Sequence, residues 1–84
     1  MNPRVKKAEP NDNFELIIEF NNGEIKIFDM KPYLDFGVFK ELKEPEYFKK
    51  VKPFMGTVAW PDGQDICPDT LYLDSVSVDH SIIN

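Results

Sequence analysis

Cys67 and His80 are the only cysteine and histidine in the chain, and the only pair from which a thiol nucleophile and its base could be made. Such a pair needs the two side chains within hydrogen-bond reach and a third group to orient the base. Nothing in the spacing supplies either condition. Cys67, between Ile66 and Pro68, reads as a small buried packing residue, and His80 as an exposed residue of the C-terminal tail. Asp62, Asp65 and Asp69 invite calcium, but an EF-hand loop requires ligands at alternating positions and a glutamate at the twelfth, and this segment has neither. Turn chemistry accounts for Asp62 in Pro61-Asp62-Gly63, and a helix start accounts for Asp69 after Pro68. Asp65 reads as a second turn or bulge residue. There is no glycine-rich phosphate loop, no serine elbow and no paired zinc half-site. The expectation is therefore no catalytic residue, no metal and no cofactor.

The acidic segment also holds the single tryptophan, Trp60. A lone tryptophan in so small a chain anchors a core, and its rival role is to floor a pocket. The rival role would make the Trp60–Asp69 loop a small-molecule or metal sensor.

These residues must be positioned by short elements. Phe14, Leu16, Ile18 and Phe20 alternate with Glu15 and Glu19, which marks a strand with one apolar face. Asn21-Asn22-Gly23 follows, then a second strand, Glu24 to Asp29. Asn-Gly is the strongest short hairpin signal, and a two-residue type I′ turn centred on Asn22-Gly23 sets a register. In that register Phe20 faces Ile25 and Ile18 faces Ile27 inside, while Glu19 faces Lys26 and Ile17 faces Phe28 outside. An apolar Ile17/Phe28 pair on the outer face points to something that covers it. Val5–Ala8 reads as a short strand before the hairpin.

From Asp29 onward the pattern becomes helical and broken. Asp29 caps a single turn, Gly37 interrupts, and Val38, Phe39 and Leu42 form an apolar stripe. Pro45 opens a second short helix that carries Tyr47 and Phe48. Two strands flank Gly56, and Pro53 requires the first of them to lie at an edge or to be bulged there. Pro68 opens the last helix, with Leu71 and Tyr72. The whole reads as α+β: a small antiparallel sheet of about five short strands with short helices packed on it. Residues 1–74 form the single domain and 75–84 a tail prone to fraying.

Charge narrows the partners. The ten Lys and Arg residues all precede position 57, whereas Asp62, Asp65, Asp69, Asp74 and Asp79 follow it, so the net charge of -5 resides in the last third. That surface repels phosphate, which argues against nucleic acid and suits a basic protein partner. The lysines at 40, 43, 49, 50 and 52 alternate with Glu41, Glu44 and Glu46 and read as a solvated helical face. No apolar run approaches the ~20 residues that span a bilayer, and the N-terminus lacks the apolar stretch of a signal peptide. With one cysteine and no intramolecular disulfide, a reducing cytoplasm is the expected location.

Phe20-Asn21-Asn22-Gly23-Glu24, then Phe28-Asp29, Phe39-Lys40-Glu41-Leu42 and Phe48 lead to the longest motif. That motif is Trp60-Pro61-Asp62-Gly63-Gln64-Asp65-Ile66 with Pro68-Asp69-Thr70-Leu71-Tyr72. Across about residues 4–73 the chain resembles the small bacterial proteins known as domain of unknown function 2442. The resemblance implies a compact α+β domain, joined in the type structure to a C-terminal helix-turn-helix. Other members stand alone beside a second small protein, in an arrangement like a toxin–antitoxin pair. The family has no established catalytic residues to carry over. Only twelve residues follow Tyr72 in this chain, so the resemblance implies no appended helix-turn-helix here. The expectation is a non-enzymatic protein-interaction module, a possible homodimer or partner of a neighbouring gene's product. Its candidate interaction or pocket residues are Ile17, Phe28, Trp60, Asp62, Asp65 and Asp69.

Overall fold

The computed structural model describes residues 2–78; His80 and the rest of 79–84 lie outside the described residues. Among the described residues six strands form two sheets. Strands β1 (Val5–Pro10), β2 (Glu15–Phe20) and β3 (Ile25–Asp29) make an antiparallel meander, and β6 (Val76–Ser77) returns to pair with β3. Strands β4 (Lys52–Phe54) and β5 (Thr57–Ala59) form a separate hairpin. It joins the edge of β1 through Val5 N–H donating to the Gly56 carbonyl at 3.0 Å. Two 3₁₀ segments, Lys31–Tyr33 and Gly37–Lys43, precede the short helix α1 (Pro45–Phe48), and α2 (Pro68–Leu73) precedes β6. The fold is the expected α+β arrangement, with β6 as an additional strand at the start of the segment that the sequence suggests is a tail.

Pro45 and Pro68 each occupy the first turn of their helices, where the missing N–H costs nothing. Asp29 takes the Lys31 N–H at 2.9 Å and so starts the first 3₁₀ turn. The helical pieces and the β4–β5 hairpin enclose one core against the inner face of the large sheet. Leu16, Ile18, Phe20 and Phe28 from the sheet, with Met30 just past β3, meet Leu42, Phe48, Val58, Trp60 and Leu71 there. Val38 does not join them; it is exposed.

The β2–β3 register differs by one residue from the two-residue turn. Glu19 pairs with Ile25, Ile18 with Lys26, Ile17 with Ile27 and Leu16 with Phe28. The loop has three residues: Phe20 N–H donates to Glu24 O at 2.9 Å, Gly23 N–H donates to Phe20 O at 3.0 Å, and only Gly23 has positive φ. A one-residue slip exchanges the faces of a strand. Phe28 is therefore in the core opposite Leu16, and the expected outer Ile17/Phe28 pair does not exist; Ile17 faces Ile27 instead. Packing selects this register, because it buries Phe28 and Met30, which carry more apolar surface than Ile25 and Ile27 would.

Lys26 is the cost of that choice, since it now lies on the inner face with only 8% exposure. Its ammonium donates to the Tyr72 carbonyl at 2.8 Å and lies 3.9 Å from the centre of the Tyr72 ring. Glu19, deprived of Lys26, lies 3.8 Å from Lys6 across β1.

Candidate functional site

Two regions present apolar surface in an arrangement that could receive another molecule. The first is the outer face of the large sheet. Residue parity places Ile17 on β2, Ile25 and Ile27 on β3, and Val76 on β6 on this face, with Ile17–Ile27–Val76 in direct cross-strand register. Ile17 and Ile27 are half-buried, whereas Ile25 is 40% and Val76 71% exposed. Lys7, Glu9 and Glu19 border the stripe beside Ile17 and Ile25. An apolar stripe with charged borders fits a protein contact better than a reaction centre.

The second is a cleft of about 240 Å³ between the 3₁₀ segments and the start of α2. Phe28, Tyr33, Phe36 and Phe39 line one side, and Asp65, Ile66, Cys67 and Thr70 the other. The rings brace one another: Phe28 and Tyr33 stack with centroids 5.5 Å apart, and Phe36 meets Tyr33 edge-on at 6.0 Å. Tyr33 Oη donates to Asp74 Oδ2 at 3.1 Å. Burial and that carboxylate together hold the Tyr33 phenol above its ordinary pKa.

Cys67 is exposed at this cleft, not buried as its apolar neighbours suggested. It precedes Pro68 as the residue that opens α2, so the backbone amides of Thr70 and Asp69 approach its sulfur and lower its pKa. Sequence reasoning missed this because the flanking Ile66, not Cys67, turns inward.

The remaining candidates do not assemble into one site. Trp60 is a core residue, 3% exposed, with Nε1 donating to the Phe48 carbonyl at 3.0 Å. Its visible edge meets Lys50, Lys52, Pro53, Phe54 and Pro61 in a separate cleft, also of about 240 Å³. Asp62 occupies the turn after Trp60, where its N–H donates to Tyr47 Oη at 2.9 Å. It approaches Glu41, and hydrogen bonding to Asp62, then burial and like charge, push the Glu41 carboxyl above the usual range. Asp65 forms an isolated bridge with Ala59, which gives it the structural role left open by the sequence. Asp69 accepts from Asn2 Nδ2 at 2.8 Å. Among the described residues no group of three His, Cys, Asp or Glu side chains is placed to hold a metal ion. No helix among them is long and apolar enough to cross a membrane.

Residues 5–77 match the sequence profile of a family described as protein of unknown function, DUF2442. The chain belongs to this family. The match runs from the start of β1 to the end of β6, so the family unit contains the complete four-stranded sheet together with both apolar regions. No curated protein and no solved structure matches the chain.

Within that unit, only Phe28 and Asp65 of the six candidates meet at one place, the aromatic cleft; Ile17 belongs to the other region. Ile25 and Ile27 were missed as surface residues because the type I′ register placed them inside. Counting buried area for both parities of β3 would have exposed them.

Proposed function

We propose that this member of the DUF2442 family is a non-enzymatic protein-interaction module. Its partner is either a second copy or the product of a neighbouring gene, and in the latter case it acts as the neutralising half of a toxin–antitoxin-like pair in the cytoplasm. The observation that carries this reading is the partly exposed Ile17–Ile27–Val76 stripe on the outer face of the sheet. Isoleucines aligned across adjacent strands bury apolar area cooperatively when another surface covers them, and about 800 Å² per partner makes a specific complex. The acidic last third of the chain adds preference for a basic partner and disfavours nucleic acid.

Sedimentation velocity on the purified chain, and co-expression with the adjacent gene product, test the reading. The expected result is a dimer at micromolar concentration or a stable complex, weakened at least about tenfold by Ile27→Lys or Ile17→Lys, because a desolvated unpaired ammonium is costly. A strict monomer that does not retain the neighbour's product would overturn it.

A further inference from the structure

The aromatic cleft lies on the helical side of the molecule, away from the outer sheet face, and its chemistry is independent of that face. Its walls are almost wholly apolar, and neither Lys nor Arg contributes to them. An apolar cavity of about 150 Å³ takes a benzene molecule, so a cleft of about 240 Å³ takes one ring and a short arm. The braced rings of Phe28, Tyr33 and Phe36 form the space before any ligand arrives, as binding clefts usually require.

Electrostatics at the mouth select the sign of the arm. Carboxylates near the cleft are engaged elsewhere: Asp35 by Lys43 at 2.6 Å, Asp74 by the Tyr33 hydroxyl, and Asp69 by Asn2. Asp65 lines the cleft, is exposed, and has no hydrogen-bonding or ionic side-chain partner among the described residues. Cys67 stands beside it, its pKa lowered by the Thr70 and Asp69 amides. The exposed Asp65 carboxylate thus borders an aromatic space that no described cation enters.

We propose that this cleft is a binding site for a small molecule with one aromatic ring and a short cationic arm, the ring between Phe36, Phe39 and Ile66 and the cation at Asp65. Ring burial supplies most of the affinity, and the exposed carboxylate supplies charge selectivity. An ion pair at an exposed site favours the cation over its anionic counterpart by about two- to fivefold.

Amide shifts of the isotope-labelled chain, followed by NMR, provide the test with three probes: phenethylammonium, phenylacetate and butylammonium. Phenethylammonium is expected to give saturable shifts centred on Phe36, Phe39, Ile66, Cys67 and Thr70, with weaker binding of phenylacetate at those amides. Butylammonium, which lacks the ring, should give no saturable shift there. Asp65→Asn should erase the preference for cation over anion and leave ring binding in place. Absence of saturable shifts with phenethylammonium would overturn the site, as would shifts centred elsewhere. Equal affinity for the two charged aromatics in the parent chain, or a preference that survives Asp65→Asn, would overturn the assignment of the cationic arm to Asp65.

Discussion

Two loops, Phe20–Glu24 and Trp60–Gln64, close in the same way, although their sequences suggest different turns. In each, the N–H of the aromatic residue donates to the carbonyl four positions on, and the glycine N–H donates back to the aromatic carbonyl. Gly23 has φ +92° and Gly63 has φ +96°. Pro61 makes this outcome readable in the second loop, since in a two-residue turn centred on Asp62-Gly63 it would pair with Gln64 and it has no N–H to donate. Asn21 carries no such restriction, and Asn22-Gly23 taken alone favours the shorter turn. A local signal that permits two loop lengths leaves the choice to packing, and packing chose the face of β3 that contains Phe28 and Met30. The two positive-φ positions of a two-residue hairpin turn occur instead at Met55-Gly56, between β4 and β5.

The largest effect that could break this comparison lies in the register itself. Phe28→Ala should destabilise the chain by about 3–5 kcal/mol in chemical denaturation, as expected for a buried ring. Ile27→Ala, on the outer face, should cost about 1 kcal/mol or less in the isolated chain. The reverse ranking would restore the two-residue turn and return Ile27 to the core.

Particular residues show how far the sequence reaches. The inward set of β2, the helix starts at Pro45 and Pro68, and the edge position of Pro53 follow from short-range chemistry and are found as expected. The position of β3 relative to β2 is a long-range choice, and one misjudged loop residue exchanged Phe28 with Ile27. The aromatic cleft was less legible still. Phe39 read only as core, Cys67 as buried, and the approach of the Gly37–Lys43 segment to the start of α2 is a tertiary contact with no periodic signature.

Intermediate effects come from the glycines and separate the three turns. Gly23→Ala and Gly63→Ala should each cost about 1 kcal/mol, and by similar amounts, because both have positive φ and open space where a Cβ would stand. Gly56→Ala should cost only slightly more, since its Cβ would lie 2.7 Å from Arg4 Cζ and need only swing aside that exposed, flexible guanidinium. Arg4→Ala in the same chain should remove the excess, leaving the three glycines alike. Met55 has φ +48° and is 76% exposed, so Met55→Asn should raise stability by a few tenths of a kcal/mol. Thermal melts of the variants would reveal whether the Met55-Gly56 tip differs from the other two loops only in its strain and in Arg4.

The smallest effects are electrostatic, and here the two matching loops should respond to pH in opposite directions. Glu24 closes the first loop by accepting from Tyr72 Oη at 2.5 Å and from Asn22 Nδ2 at 2.6 Å. Those bonds, Tyr72 first, lower its pKa below the ordinary carboxylate value. A carboxyl group with a lowered pKa contributes stability above its unfolded pKa and loses it as pH falls through the folded value. Glu41 lies against Asp62 in the second loop and has a raised pKa, so its contribution is present below the ordinary carboxylate value and is lost as pH rises through the raised one. Tyr72→Phe should therefore lower the melting temperature near neutral pH, whereas Glu41→Gln should raise it, and both variants should converge on the parent in acid. The shifts should be small because Glu41 is exposed, Glu24 is only half-buried, and solvent screens both. Melting curves recorded from acid to neutral pH check the signs directly. Parallel displacements of the two variants across that range would show that neither loop is tuned by its carboxylate, and that their common backbone geometry alone sets their stability.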